Sequence, residues 1–197
     1  MNEWLFPGAG LLSGSIPCSY LAARLFAGKD VRQEGSGNVG ATNVFRVAGR
    51  TAGIAAATGD VLKSLLPVLA ARGAGITPAW QALTAAAVIA GHCYSPLLKF
   101  RGGKGVASAV TVALVLCWPA ALAFGCVWFG VFRAGGFVSL ASIIASFALP
   151  LAAALMRADR ATTLFFCAVA IFVLFKHRSN VHRLFAGTEP RMRKSDR

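Results

Sequence analysis

Residues 34–46, EGSGNVGATNVFR, set glycines among asparagines, a serine and a threonine and close on an arginine. Glycine and asparagine tolerate left-handed backbone. Alternating such residues turns successive N–H groups towards one point, a nest for an anion. Ser36, Thr42 and Asn43 add side-chain donors, and Arg46 adds a planar fork that can grip phosphate through two bonds. A second stretch, GHCYSPLLKFRGGKGVAS at 91–108, carries Lys104 among Gly102, Gly103 and Gly105, just ahead of an apolar run from Val106. It is not a nucleotide-binding P-loop, because Leu98 and Gly105 stand where that pattern needs a glycine and a hydroxyl. Close-approach glycines, a lysine and a helix N-terminus nevertheless favour phosphate. In a third stretch, KHRSNVHRLFAGTE at 176–189, His177 and Asn180 are three apart and share a face if the last helix continues. His177 can act as acid, base or phosphate donor, and Glu189 can anchor a loop arginine. Each stretch also has a plain counterpart: a flexible connector, a basic loop against lipid headgroups, an interfacial histidine without chemistry.

These groups need elements to carry them, and the rest of the chain is oily. It is 56% hydrophobic, 14% charged and has a mean hydropathy of +0.64; a soluble domain carries roughly a quarter charged residues. Apolar runs near the ~20 residues that cross a bilayer recur at Trp4–Phe26, Ala52–Ala71, Ala79–Leu98, Val106–Phe132, Phe137–Met156 and Ala161–Phe175. The composition predicts an all-α, polytopic helical membrane protein, with residues 1–197 as a single domain.

The net charge of +13 is not spread as a DNA-binding face would spread it. It clusters in short loops and the tail, as the positive-inside rule describes, so no nucleic-acid partner is expected. Met1-Asn2-Glu3 puts no cation ahead of the first run, unlike a secretory signal. That run therefore reads as a retained helix with its N-terminus outside.

Parity fixes the rest. Val106–Phe132 is too long for one comfortable span and too short for two full ones. If it enters and returns, breaking at Trp118-Pro119, every lysine and arginine but Lys63, Arg72, Arg157 and Arg160 lies inside. The expectation is about seven transmembrane helices, two of them short, with a cytoplasmic C-terminus; a re-entrant pair over 106–132, giving five crossings, is the alternative. The polar segments 27–50, 91–108, 133–142 and 176–197 then all face the cytoplasm.

Cys18, Cys93, Cys117, Cys126 and Cys167 lie in or beside apolar runs, without C-x-x-C or zinc spacing; they read as small packing residues, and no metal is expected. Asp60 and Lys63 sit mid-span at i, i+3. Ionisable residues there are costly and are usually paired or functional. Mutual pairing and substrate contact both remain open. His92 and His182 are weaker candidates for chemistry.

The ordered set G-S-G-N-V-G-A-T-N-V-F-R, G-H-x-Y-S-P…F-R-G-G-K-G-V-A-S and K-H-R-x-N-V-x-R-L…G-x-E resembles the signature segments of the bacterial acyl-phosphate:glycerol-3-phosphate acyltransferase family. The likeness runs from Gly14-Ser15-Ile16-Pro17 through Asp60, Lys63 and Val138–Ser142 to Glu189. Ser64 departs from a usual glycine, and Arg101 stands where the family varies. The resemblance implies a multi-pass enzyme of the bacterial cytoplasmic (inner) membrane with its site facing the cytoplasm. Its implied reaction moves a fatty acyl group from acyl phosphate to the 1-hydroxyl of glycerol 3-phosphate, giving lysophosphatidic acid and phosphate in phospholipid biosynthesis. The implied partners are acyl phosphate, glycerol 3-phosphate and membrane lipid, with no cofactor.

An acyl phosphate is already activated, so no serine or cysteine nucleophile is needed. The enzyme must position two anions that repel each other and stabilise developing charge. Arg46, Lys104, His177 and Asn180 are assigned to catalysis, and Ser36, Gly37, Asn38, Thr42, Asn43, Gly102, Gly103 and Ser142 to substrate binding. The proton acceptor is His177 or a substrate phosphate oxygen. An H-x-x-x-x-D acyltransferase mechanism is excluded, because His92, His177 and His182 are followed five residues on by Leu97, His182 and Gly187. An organic-anion transporter would show pseudo-repeated halves with broken midplane helices, and no such repeat is found.

Overall fold

The computed structural model describes residues 2–192, and every regular element among them is helical. The chain runs α1 (Leu5–Ser15), α2 (Cys18–Ala27), α3 (Ala41–Gly73), α4 (Pro78–Cys93), a 3₁₀ turn (Pro96–Leu98), α5 (Val106–Leu116), α6 (Trp118–Gly135), α7 (Val138–Leu155), α8 (Arg160–Lys176) and α9 (Arg178–Phe185). The chain divides into two compact units, Met1–Val115 and Leu116–Arg197. The sequence segment 193–197, with Arg193, Lys194 and Arg197, lies outside the described residues.

In the first unit, α1 packs on α4 and α2 on α3. The α1–α4 contact is close because glycines line it. A Cβ at Gly14 would lie 2.2 Å from the Val88 carbonyl oxygen, and one at Gly91 would lie 2.4 Å from that of Leu11. Small residues allowing backbones to meet is the usual device of helix packing in lipid. The first apolar run, read as one span over Trp4–Phe26, is instead two helices broken at Ile16-Pro17. Pro17 has no N–H to continue the ladder and disfavours helical backbone at the residue before it; Ile16 is extended, at φ −64°, ψ 122°.

Helix α3 kinks at Gly49, whose φ of 85° and ψ of −178° only glycine adopts without strain. Phe45 then folds back so closely over Gly53 that a Cβ there would meet its ring at 2.3 Å. Pro67, further along α3, leaves the carbonyl of Lys63 without its amide partner. Ser13 of α1 supplies the replacement, its hydroxyl donating to Lys63 O at 2.8 Å. Arg72 near the end of α3 donates to the Val115 carbonyl in the last turn of α5.

In the second unit, α7 packs between α6 and α8. The sequence expectation of a break at Trp118-Pro119 agrees with the structure: α5 and α6 part at Cys117, which sits at φ −157°, ψ 84°. Asp159 caps α8 by accepting from the Thr162 amide at 2.8 Å. Beyond Lys176 the helix does not continue straight; α8 and α9 meet at 56° with His177 at the bend.

Large apolar side chains stand on the outside: Leu12, Leu25, Leu66, Phe129, Leu151 and Ile171 are all exposed. Water would penalise such a surface and lipid would solvate it. Ala41–Gly73 and Val138–Leu155 are each long and apolar enough to cross a bilayer, and α8 with α9 makes a third if the bent pair is one span. The other apolar runs are divided by Pro17 and Cys117 or, for α4, stop at Cys93.

Candidate active site

The glycine-rich loop between α2 and α3 is organised by Asn43. Buried in the first turn of α3, its Oδ1 accepts from the Ser36 amide at 2.9 Å, while Nδ2 donates to the carbonyls of Val31 and Glu34, each at 3.0 Å. Its amide therefore folds the loop around the helix start. Gly35 and Gly37 both have positive φ, as the composition of the stretch requires, and a Cβ at Gly35 would lie 2.4 Å from Asn43 Oδ1. Ser36 and Gly37 remain exposed, Asn38 and Thr42 are half-buried, and Arg46 is exposed one turn into α3.

The loop's entrance is held by Asp30. Arg32 donates to it from Nε at 2.9 Å, from a terminal nitrogen at 2.7 Å and from its backbone amide at 3.1 Å, and Arg24 adds a contact at 3.2 Å. The hydrogen bonds from Arg32 bring the Asp30 carboxyl down to about 2. Both guanidinium groups also lie over the Tyr20 ring, that of Arg24 at 5.6 Å and that of Arg32 at 4.8 Å from its centroid.

The second signature stretch is fastened to α4. Gly102 N–H donates to Cys93 O and Gly103 N–H to His92 O, both at 3.2 Å. These two amides are thus used within the protein rather than turned towards an anion. The glycines are needed for proximity: a Cβ at Gly102 would meet His92 O at 2.1 Å, and one at Gly103 would meet His92 Nε2 at 2.2 Å. Lys104 follows, half-buried, and Gly105 at φ 81° turns the chain into α5.

Asp60 and Lys63 pair with each other at 2.9 Å. Ser19 donates to Asp60 Oδ2 at 2.6 Å, and Lys63 Nζ donates to Ile16 O at 2.6 Å, the carbonyl exposed by the α1–α2 break. With His92, these groups line a narrow cleft that also touches Val39, Leu98 and Gly103 of the signature stretches.

In the second unit, His177 is buried at the α8–α9 bend, with Nδ1 2.8 Å from Val173 O. A carbonyl can only accept, so Nδ1 carries the proton on this bond. Glu189 gathers three donors: Ser139 Oγ and Asn180 Nδ2 on Oε1, each at 2.6 Å, and Arg183 Nε on Oε2 at 2.8 Å. Burial alone would raise its carboxyl, but the bonds from Ser139, Asn180 and Arg183 bring it below the usual range. Ser142 Oγ donates to Val138 O at 2.8 Å and accepts from Trp128 Nε1 at 3.2 Å. Its hydroxyl is engaged within the α6–α7 pair.

Residues 4–187 match the family model described as glycerol-3-phosphate acyltransferase. The chain belongs to that family. It is 42% identical to the glycerol-3-phosphate acyltransferase of Geobacter sulfurreducens over 98% of this chain and 99% of that one. It is 45% identical to the one from Geobacter metallireducens over 96% of both. The crystal structure of PlsY (YgiH), an integral membrane glycerol 3-phosphate acyltransferase, in its glycerol 3-phosphate form superposes with a TM-score of 0.92 at 34% identity, covering 98% of this chain and 96% of that chain. Its lysophosphatidic acid form superposes at 0.88 and 33% identity, over 97% and 95%.

For an acyltransferase of this family, the described residues sort into groups with distinct tasks. Asn43 shapes its loop, and Ser139, Arg183 and Glu189 lock the C-terminal segment. Gly102 and Gly103 let the Lys104 loop lie against α4. Ser19 has no place in the sequence expectations, and His92 and Ser139 enter them only as a weaker candidate and as part of the Val138–Ser142 likeness, without their partners. Single serines inside apolar runs resemble packing residues until their partners are seen; the available signal was that a mid-span Asp60 needs donors.

Proposed function

We propose that the chain transfers a fatty acyl group from acyl phosphate to the 1-hydroxyl of glycerol 3-phosphate at the cytoplasmic face of the bacterial inner membrane. The observation that carries this reading is the superposition on a protein solved with both glycerol 3-phosphate and lysophosphatidic acid. The second molecule is the first with an acyl ester on it, so the two frame an acyl transfer. The chain's own residues are compatible with this donor: they offer no H-x-x-x-x-D base, and a mixed anhydride needs neither that nor a nucleophilic serine.

In this scheme the 1-hydroxyl oxygen attacks the acyl carbonyl carbon. The bond from that carbon to the phosphate oxygen breaks, and phosphate departs with the electron pair. The hydroxyl proton passes to a phosphate oxygen, directly or through His177 Nε2. Arg46, Lys104 and Asn180 hold and neutralise phosphate groups, and the loop of Ser36, Gly37, Asn38 and Thr42, shaped by Asn43, contributes donors. Gly102 and Gly103 seat Lys104, and Ser142 orients the α6–α7 pair. Seven crossings, with the N-terminus outside and the C-terminus inside, place every polar segment on the side where glycerol 3-phosphate is dissolved.

The test is turnover by the purified full-length protein in detergent. Acyl phosphate with glycerol 3-phosphate should yield lysophosphatidic acid and inorganic phosphate in equal amounts. Acyl-CoA, free of any acyl-phosphate-forming activity, should give none; robust product from it would overturn the donor assignment.

A further inference from the structure

His92 lies between the buried Asp60–Lys63 pair and the loop that carries Lys104. On one side, its Nδ1 is 3.8 Å from Asp60 Oδ1. That carboxylate is itself fixed by Lys63 at 2.9 Å and by the Ser19 hydroxyl at 2.6 Å, and Lys63 is tied to Ile16 O. On the other side, His92 O accepts from the Gly103 amide, and the imidazole lies against Gly103 so closely that a Cβ there would stand 2.2 Å from Nε2. Lys104 is the next residue. All of these groups belong to the first unit, and Asp60, Lys63 and His92 are each more than nine-tenths buried.

We propose that His92 is a positioning residue for Lys104: Asp60 steadies its imidazole from one side, and its ring and carbonyl seat Gly103 from the other. The proposal rests on Lys104 binding a substrate phosphate. Three features support a built device rather than incidental packing. The ring has the Asp60 carboxylate of α3 near one nitrogen, at 3.8 Å, and the Gly103 loop against the other. The carbonyl bond and the ring contact act on the same glycine. Finally, a charged pair inside an apolar unit is costly to keep, and its placement next to this imidazole gives it a task that pairing alone does not.

The experiment is a double-mutant cycle on the purified full-length enzyme, with thermal midpoints recorded beside the kinetics. Lys104→Ala first identifies which substrate's KM depends on the lysine. His92→Ala and Asp60→Asn should raise that same KM, by roughly ten- to a hundredfold if the lysine is displaced by up to an ångström. Combined with Lys104→Ala, either should leave the enzyme within about twofold of Lys104→Ala alone, because there is no longer a lysine to place. His92→Gln keeps much of the volume and serves where His92→Ala does not fold. A multiplicative double variant, or a thermal midpoint that falls while the KM stays normal, makes His92 merely structural and overturns the proposal. Normal kinetics in Lys104→Ala would overturn the phosphate assignment itself and the relay with it. A defective Lys104→Ala with an additive His92→Ala overturns the relay alone.

Discussion

Asn180 Nδ2 donates to Glu189 Oε1 at 2.6 Å, joining α9 to the segment that follows it. The amide is thereby oriented by a carboxylate that Ser139 and Arg183 also hold. Asn180→Asp replaces a donor with a second carboxylate at that distance. It should cost more activity and stability than Asn180→Ala, which only leaves the donor missing. Loss of the hydrogen bond alone is worth roughly 1.5–3 kcal/mol to a charged partner. Thermal midpoints of the two variants decide the order; an Asp variant as stable as the Ala variant would contradict it.

Arg46 stands exposed one turn into α3, beside the loop that Asn43 folds. Arg46→Ala should lose a charge-assisted contact of about 1.5–3 kcal/mol, read as a fall in kcat/KM. Arg46→Lys keeps the charge but not the fork, so it should be impaired nearly as much. Near-normal kinetics in Arg46→Lys would remove the bidentate role.

Asn43→Ala leaves the Ser36 amide and the carbonyls of Val31 and Glu34 without their shared partner. The buried one, the Val31 carbonyl, costs about 1–3 kcal/mol when so stranded. The loop should therefore become protease-sensitive at 31–40 while the remainder of the chain stays protected. Unchanged proteolysis in that segment would refute the organising role.

Asp30 is held down to about 2 from an ordinary value of 3.8. A depressed carboxyl stabilises the fold above its unfolded value, and that contribution fades as pH falls through the folded one. The thermal-midpoint gap between wild type and Asp30→Asn should thus be full at pH 5 and shrink between about pH 4 and 2. A gap that stays constant across that window would disprove the linkage. Glu189, also lowered, should behave in the same direction.

Membrane topology can be read with single cysteines in a cysteine-free background. Gly35 is a poor site, since a side chain there meets Asn43 and φ is 62°. Gln33, Ala134 and Thr188 are exposed and should resist an impermeant thiol reagent in intact cells, whereas Thr77 and Met156 should react. Labelling of Thr188→Cys with Gln33→Cys protected would break the double pass through Val106–Phe132. The cysteine-free protein should itself remain active, because the transfer uses no thiol nucleophile.

The sequence alone determined the helical class, the break ahead of Pro119, the left-handed glycines of the 34–46 loop and the inventory of polar groups proposed to bind anions. Each of these is local: hydrophobic runs, proline geometry and glycine's freedom act within a few residues of their cause. Tertiary structure decided who uses those groups. Asn43 turns inward to its loop, Gly102 and Gly103 spend their amides on α4, and Lys63 serves both Asp60 and the Ile16 carbonyl opened by Pro17. Ser13 reaches a carbonyl fifty residues away in sequence. Pairings at such separations have no periodicity to announce them. A buried polar group advertises that it must have a partner, but only the packing of one helix against another selects which one.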